Sequence, residues 1–168
     1  KSAPDISKAI NLNRSKIEKI KVLMVEEKEK GQKHPFSGEK LCPVLTVYRA
    51  SNFEDACQHV NEIYNYQGKG HSIGLHSQDK SRPIKIGLML PACRVIVNQP
   101  HCIATGGSFN NGLPFSLSMG CGTWGENSIS DNLSYHHYLN IVRIVHKISP
   151  EEPNELDIFG KYWDKHGR

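Results

Sequence analysis

Residues 43–66 read PVLTVYRASNFEDACQHVNEIYNY, and this stretch decides the fold class. Its opening part is rich in β-branched and aromatic side chains, which predicts a strand over Pro43–Tyr48. A helix over residues 52–66 is predicted next, because apolar side chains recur there along one stripe of a helix. Ser51 and Glu54 have the spacing of a capping box at the start of that helix. A strand followed directly by a helix is typical of an α/β fold.

The segments on either side continue the alternation of strands and helices. Strands are predicted at Val22–Val25, His71–His76 and Arg94–Val97 from their apolar and β-branched side chains. Between the last two, residues 81–90 have the pattern of a helix that Pro83 is expected to weaken. This order predicts an α/β layer structure with a mainly parallel sheet.

The C-terminal half of the sequence is less regular. Residues 99–127 are dense in Gly, Asn, Ser and Pro and are predicted to form loops, followed by a short helical piece over 131–138. Residues 139–148 fit a helical and a strand pattern about equally, and their Ile and Val content favours a strand. Residues 150–154 read PEEPN, which predicts a linker to an aromatic end that we expect to dock on another surface.

Composition and charge exclude several classes of protein. With 38% hydrophobic and 23% charged residues, the 168-residue chain has the composition of one ordinary globular domain. Its net charge of +4 is mild, and basic residues alternate with acids, as in residues 26–30, so we expect no nucleic-acid partner. No apolar run approaches the roughly 20 residues that span a bilayer, so we expect no membrane partner. The chain begins Lys-Ser-Ala-Pro without a Met or a signal peptide, which indicates part of a longer or processed polypeptide.

Five cysteines, an odd number without regular spacing, indicate a reducing cytoplasm and not a disulfide framework. Cys93, His101 and Cys102 lie near one another in sequence, but no Cys-x2-Cys or His-x3-His pair accompanies them, so no metal site is predicted. Cys57 lies on the apolar stripe of the predicted helix and is expected to be a small buried side chain. Cys121 lies between two glycines, and a nucleophilic role for it is the less favoured alternative.

The stretch Gly120–Gly125 reads GCGTWG, which matches the Gly-x-Gly-x-x-Gly fingerprint of dinucleotide-binding loops. Such a loop opens an amphipathic helix, whereas residues 126–132 have almost no apolar face. The acidic residue expected about 20 positions later is also missing, since no Asp or Glu lies between Asp131 and Glu151. We therefore expect these glycines to permit tight turns and not to hold a nucleotide.

Five segments occur in a characteristic order: GEKLCPVL at 38–45, NFEDA at 52–56, GHSIGLHS at 70–77, RVIVNQP at 94–100 and LSMGCGTWGENS at 117–128. The first, second and fourth resemble segments of the aldehyde dehydrogenase superfamily. The third and fifth resemble its CoA-acylating branch, which includes the aldehyde domain of bifunctional aldehyde–alcohol dehydrogenases. The resemblance covers about residues 17–147.

The resemblance implies a fold and a domain organisation. We expect part of a three-layer α/β catalytic domain with a parallel sheet over residues 1–137, an oligomerisation strand over 138–149 and a C-terminal tail over 150–168. Residues 139–148 resemble the family's strand that adds to the sheet of a partner subunit, and an unpaired edge of this kind favours pairing. The implied assembly is a homo-oligomer through residues 139–148.

The resemblance also implies a reaction. A cysteine thiolate attacks a small aldehyde, hydride passes to NAD or NADP, and coenzyme A takes the acyl group. The family's nucleophile belongs to an upstream segment, so no catalytic residue is assigned in this chain, which is expected to be inactive alone. The identity of the aldehyde and the choice between NAD and NADP stay open. A hydrolytic aldehyde dehydrogenase that releases a free acid and a non-catalytic binding or assembly module are the alternatives.

Three residues are implied to contact the cofactors. Glu39 matches the family's glutamate that accepts hydrogen bonds from the nicotinamide ribose hydroxyls, a role suited to an acceptor-only carboxylate. Leu41 stands where non-acylating members carry a Phe against the nicotinamide, so the chain departs from that pattern. His71 matches a position where coenzyme A and the nicotinamide cofactor meet. A surface-loop acid and a strand histidine without a ligand are the alternative interpretations of Glu39 and His71.

Overall fold

The computed structural model describes all residues from Lys1 to Arg168. They divide into two compact units, Lys1–Tyr138 and Leu139–Arg168. No helix in either unit is long and apolar enough to cross a membrane.

The first unit begins with a helix that the sequence analysis did not predict, α1 (Ala3–Ala9). The Ser2 hydroxyl accepts a hydrogen bond from the Asp5 backbone N–H at 3.3 Å, and the Asp5 carboxylate accepts one from the Ser2 N–H at 3.1 Å. These two bonds form a complete capping box. Pro4, in the first turn, also favours the start of a helix. The signal for α1 was therefore present in residues 2–5.

Two short parallel strands follow, β1 (Leu23–Glu26) and β2 (Val44–Val47). They pair with Leu23 opposite Val44, which confirms the two predicted strands. One 3-10 turn, Pro35–Ser37, lies in the connection between them. The turn ends at Ser37, two residues before Glu39.

Helix α2 (Phe53–Tyr66) confirms the strongest periodic signal in the sequence. Its cap is one residue later than predicted, and the Ser51–Glu54 capping box is wrong. The Asn52 side-chain oxygen accepts the Asp55 N–H at 2.8 Å, while the Asp55 carboxylate accepts the Ser51 N–H at 2.8 Å. Hydrogen bonds from Ser51 hold the pKa of that carboxyl below its usual range. Asn and Ser are equally good caps, and the register of the apolar stripe against the core selects Asn52.

The second strand pair consists of β3 (Ile73–Leu75) and β4 (Val95–Val97), with helix α3 (Arg82–Met89) between them in the chain. The strands are parallel, with Ile73 opposite Val95, and are shorter than predicted. Pro83 does not weaken α3, contrary to expectation, because it lies in the first turn. Proline has no backbone N–H to donate, and at this position that group would have no hydrogen-bond partner within the helix.

The core of this half of the unit lies between α2, α3 and the second strand pair. Its buried members are Cys57, Ile73, Ile86 and Leu90. Burial of Cys57, at 5% exposure, confirms that it is a small core side chain, and the same burial raises the pKa of its thiol. The core therefore packs α2 and α3 against the second strand pair.

The sheet topology confirms the α/β class with parallel strands. The structure has two separate sheets, β1 with β2 and β3 with β4, each of two strands. The predicted loop over 99–127 contains one short helix, α4 (His101–Ala104), and a 3-10 turn at Thr123–Gly125. The predicted helical piece over 131–138 is a 3-10 turn at Tyr135–Tyr138.

The second unit contains one regular element, α5 (Glu155–His166), where only an aromatic tail was predicted. The Asn154 side-chain oxygen caps it by accepting the Leu156 N–H at 3.0 Å. The strand predicted over 139–148 is not confirmed, because the structure assigns these residues no strand and all are exposed. β-branched side chains favour a strand only where a neighbouring strand supplies the hydrogen bonds.

Candidate functional site

An open cleft of about 840 Å³ lies at the C-terminal end of α2. Three segments of the first unit form its walls: residues 37–39, the end of α2 with the turn that follows it, and residues 121–127. Two of the three predicted cofactor-contacting residues, Glu39 and His71, line this cleft together. Leu41 does not line it, and its side chain is 93% exposed.

Glu39 is placed by hydrogen bonds of its backbone and of its neighbour. Its N–H donates to the side-chain oxygen of Gln67, at the end of α2, over 2.8 Å. The Lys40 ammonium donates to the carbonyls of Phe36 and Gly38 at 2.6 and 2.7 Å, which closes the turn. The Glu39 carboxylate itself has no partner within the chain and is exposed. A fixed backbone with a free carboxylate suits a residue that accepts hydrogen bonds from a ligand.

His71 lies at the entrance to β3 and is exposed to the cleft. Its Nδ1 is 2.6 Å from the Ser72 hydroxyl. The Tyr64 hydroxyl, from α2, donates to the Ser72 carbonyl at 2.8 Å and so ties the end of the helix to this segment. Burial raises the pKa of Tyr64 to about 12, which keeps this donor protonated at neutral pH.

The glycine-rich segment, residues 120–132, is named here the glycine loop. Its backbone donors bond within the loop: the Gly120 N–H to the Asp131 carbonyl and the Gly122 N–H to the Ile129 carbonyl, both at 2.9 Å. The Asn127 side chain accepts the Cys121 N–H at 2.8 Å. Since these donors are occupied and only a 3-10 turn follows, the loop does not form the phosphate cradle of a dinucleotide-binding fold.

Two glycines allow the glycine loop to pack against the start of β3. Gly70 has φ +91°, and a Cβ on it would overlap the Cys121 carbonyl oxygen. A Cβ on Gly125 would overlap the Cys121 side chain in turn. Close approach of Cys121, by its carbonyl at Gly70 and its side chain at Gly125, is therefore the reason for glycine at both positions.

A buried arginine binds the glycine loop by hydrogen bonds. Arg94 is 5% exposed, and its Nε donates to the Asn132 side-chain oxygen at 2.7 Å. Its terminal nitrogens donate to the carbonyls of Gly120 at 2.9 Å, His71 at 3.2 Å and Ser130 at 3.2 Å. One guanidinium therefore connects β4, the cleft histidine and both ends of the loop.

Asn132 completes this network. It is 1% exposed, and its side-chain nitrogen donates to the carbonyls of Thr105 and Pro114, both at 2.9 Å. All of the acceptors that face Arg94 are neutral oxygens, and no carboxylate pairs with its charge. Sequence reasoning missed both residues. The available signal was a charged side chain at the start of an apolar strand, which needs several acceptors to be buried.

None of the five thiols has the environment of an activated nucleophile. Cys42 and Cys102 are exposed, Cys57 is buried, and Cys93 and Cys121 are half-buried. No thiol forms a hydrogen bond with an imidazole or another base, and burial raises the pKa of Cys93. No group of three or more His, Cys, Asp or Glu side chains is placed to hold a metal ion.

The fold of the chain is that of an aldehyde dehydrogenase domain. The chain superposes on an acetylating aldehyde dehydrogenase from Geobacillus thermoglucosidasius with a TM-score of 0.81 and 30% identity, over 92% of this chain and 33% of that one. No known protein-family profile matches the chain.

Two curated relatives are acylating enzymes. The chain is 51% identical, over 99% of its length and 34% of the relative's, to an acylating sulfoacetaldehyde dehydrogenase of Cupriavidus necator. It is 43% identical, over 76% of its length and 28% of the relative's, to an acetylating succinate-semialdehyde dehydrogenase of Clostridium kluyveri. The chain belongs to the aldehyde dehydrogenase superfamily, and the two relatives named here are acylating enzymes. It spans about a third of the length of the first of these relatives.

Proposed function

We propose that the protein containing this chain is a CoA-acylating aldehyde dehydrogenase that uses NAD+ or NADP+. Its reaction converts an aldehyde, coenzyme A and the oxidised cofactor to an acyl-CoA and the reduced cofactor. The observation that carries the proposal is the cleft, which Glu39 and His71 line together. The acylating enzymes to which the chain is similar support it as well. The catalytic cysteine is proposed to lie in the part of such enzymes that residues 1–168 do not span.

Glu39 fits the nicotinamide cofactor by the chemistry of its free carboxylate. The cofactor accepts hydride from the substrate when it is bound. The Glu39 oxygens have no partner within the chain, and a carboxylate accepts hydrogen bonds from a pair of ribose hydroxyls without supplying any donor. Because the Gln67 side chain holds the Glu39 backbone, binding does not have to order this turn first.

His71 and Leu41 receive roles that depend on this placement of the cofactor. His71, which lines the same cleft as Glu39, is proposed to meet the thiol end of coenzyme A. An imidazole there takes up the proton that a thiol loses when it becomes a nucleophile. Leu41 is proposed to cover the nicotinamide ring, because its side chain is free of packing within the chain.

The substrate class is a small aldehyde, and sulfoacetaldehyde is the first to test because one relative with 51% identity carries that name. We also propose a cytoplasmic enzyme that assembles as a homo-oligomer through residues 139–148. The exposed, mostly β-branched side chains there, such as Ile141 and Val145, support addition to a partner's sheet. Val145→Asp is expected to dissociate the assembly in sedimentation velocity, and unchanged sedimentation would rule out this interface.

Steady-state kinetics of the Glu39→Gln variant test the cofactor assignment. Loss of one charged acceptor is expected to raise the KM for NAD(P)+ about tenfold, the equivalent of roughly 1.4 kcal/mol, with an unchanged unfolding transition. Glu54→Gln, at an exposed position on α2 outside the cleft, is the matched control and should retain the wild-type KM. Equal KM values in all three proteins would remove Glu39 from the cofactor site.

Omission of coenzyme A tests the reaction class in the same assay. We expect reduction of NAD(P)+ to stop after about one turnover when coenzyme A is absent, because the thioester then has no acceptor. Sustained turnover without it would identify a hydrolytic enzyme. No reduction under any condition would favour a binding or assembly module.

A further inference from the structure

A hydrogen-bonded chain of three side chains runs inward from the cleft. Nδ1 of His71 lies 2.6 Å from the Ser72 hydroxyl oxygen, and Nε2 of His101 lies 2.9 Å from the same oxygen. His71 is exposed to the cleft, whereas Ser72 and His101 are half-buried. His101 begins α4, and its ring packs against Gly74 on β3, where a Cβ would lie 3.3 Å from the imidazole.

The Ser72 hydroxyl has one proton, so it donates to only one imidazole at a time. The other imidazole must donate its own N–H to the serine oxygen for both hydrogen bonds to exist. The position of the proton on one ring is therefore coupled to its position on the other. Two arrangements satisfy the distances. In one, His71 donates to Ser72 and Ser72 donates to His101; in the other, His101 donates to Ser72 and Ser72 donates to His71.

Proton uptake in the cleft distinguishes the two arrangements. If His71 keeps its proton on Nδ1 and donates to Ser72, its Nε2 can gain and lose a proton with every hydrogen bond intact. In the reverse arrangement, protonation of His71 would break the bond from Ser72 and force the hydroxyl to turn. Burial, with a smaller effect of His71, lowers the pKa of His101 and so keeps that ring neutral. A neutral ring with its proton on Nδ1 accepts from Ser72 at Nε2.

No other group competes for either ring. Neither imidazole has a carboxylate within salt-bridge distance, and Arg94 bonds to the His71 carbonyl and not to its ring. The charged side chains that share the cleft wall are Glu39, Lys69 and Glu126, and none of them bonds to His71. Tyr64, from α2, bonds to the backbone of Ser72, and the Cys121 thiol forms no hydrogen bond. Ser72 is therefore the single hydrogen-bond partner of the His71 ring.

We propose that His101 is a positioning residue that acts through Ser72 to hold the neutral His71 ring with its proton on Nδ1 and Nε2 open to the cleft as a proton acceptor. The inference rests on the proposed function for its consequence, since a coenzyme A thiol is the group that would release a proton there. It concerns a hydrogen-bonded chain whose terminal member lies outside the cleft wall. The two hydrogen bonds to Ser72 do not require a substrate.

The ring tautomer of His71 is measurable by ¹⁵N NMR of the histidine side chains, with the resonance assigned through His71→Gln. At about pH 8, above the ordinary histidine pKa of about 6.5, the proton is expected on Nδ1 in the wild-type chain. His101→Phe removes the acceptor, so Ser72 turns to donate to Nδ1 and the proton moves to Nε2. Ser72→Ala removes the link and abolishes the Nδ1 preference by a second route. His101→Gln supplies an amide oxygen as acceptor and should restore the wild-type tautomer.

His76→Phe is the matched control, because it makes the same substitution on an exposed histidine just beyond β3. It should leave the His71 tautomer unchanged. The same tautomer in the wild type, His101→Phe and Ser72→Ala would overturn the proposal, as would a wild-type proton on Nε2. The NMR measurement uses no substrate, so its result does not depend on whether the enzyme requires coenzyme A. Failure of this proposal can therefore be distinguished from failure of the proposed function.

Discussion

The glycine loop and residues 139–148 both lack an α-helix and a β-strand, and they differ in how their backbone groups are satisfied. The loop uses its own N–H groups internally, and Arg94 binds two of its carbonyls. Residues 139–148 form no hydrogen bond, and every one of their side chains is exposed. An irregular segment is fixed in a single chain when its polar groups find partners there. The second segment has the composition of a strand, and we propose that a partner subunit supplies its hydrogen-bond partners.

Removal of the buried guanidinium should have the largest effect on this contrast. Arg94→Met leaves the Asn132 oxygen and three backbone carbonyls without donors, so we expect a loss of about 3–5 kcal/mol in the free energy of unfolding, measured by chemical denaturation. Arg143→Met makes the same change in the exposed segment and should alter stability by less than about 0.5 kcal/mol. Equal effects would show that the network does not hold the loop.

A methyl group at the contact between the loop and β3 should have the next largest effect. Gly70→Ala combines a φ of +91° with overlap of the Cys121 carbonyl, so we expect a loss of about 2–3 kcal/mol and faster amide exchange in the glycine loop. Gly160→Ala is the matched change in the second unit, where α5 leaves open space around the Cα. It should stabilise the helix by up to about 1 kcal/mol. Wild-type stability of Gly70→Ala would disprove the close approach.

Capping of α2 offers a smaller and sharper test, because it separates two neighbouring candidates. Asn52→Ala removes the oxygen that accepts the Asp55 N–H and should cost about 1 kcal/mol in thermal or denaturant unfolding. Glu54→Ala, which removes the residue of the predicted box, should cost less than about 0.5 kcal/mol. The reverse order of effects would restore the Ser51–Glu54 cap.

Acidification should produce the smallest effect, and it is confined to the first unit. The pKa of His101 is lower in the folded chain than in the unfolded chain, because burial disfavours its charged form. The unfolded chain therefore binds the proton first, and the stability that neutral His101 contributes declines as pH falls below about 6.5. The melting temperature should drop less between about pH 7 and pH 5 in His101→Gln than in the wild type. Parallel curves would show that His101 is not linked to folding.

Local patterns predicted the fold well wherever one element provides the whole signal. The stripe of α2 and the β-branched run of β2 are properties of consecutive residues, so both were predicted at nearly their observed bounds. The first helix was missed although Ser2, Pro4 and Asp5 carried its signal. The strand over 139–148 was predicted from side-chain content alone, and strand formation depends on a partner that the sequence does not name.

The site was predictable only in part. The family resemblance identified Glu39 and His71, which the structure brings to one cleft, and Leu41, which it leaves outside. Arg94 and Asn132 are 38 positions apart, and their bond depends on the path of a loop that no periodicity describes. The Ser72 link between two histidines likewise joins residues on separate elements. Long-range polar contacts were therefore the part that sequence reasoning could not supply.

Product analysis tests the central proposal most directly. The protein that contains this chain should be incubated with sulfoacetaldehyde, coenzyme A and NAD+ or NADP+, and both products should be quantified by mass spectrometry and absorbance. Our account predicts one acyl-CoA for each reduced cofactor and loss of both in the absence of coenzyme A. Free acid formed in step with the reduced cofactor, with no acyl-CoA, would contradict it.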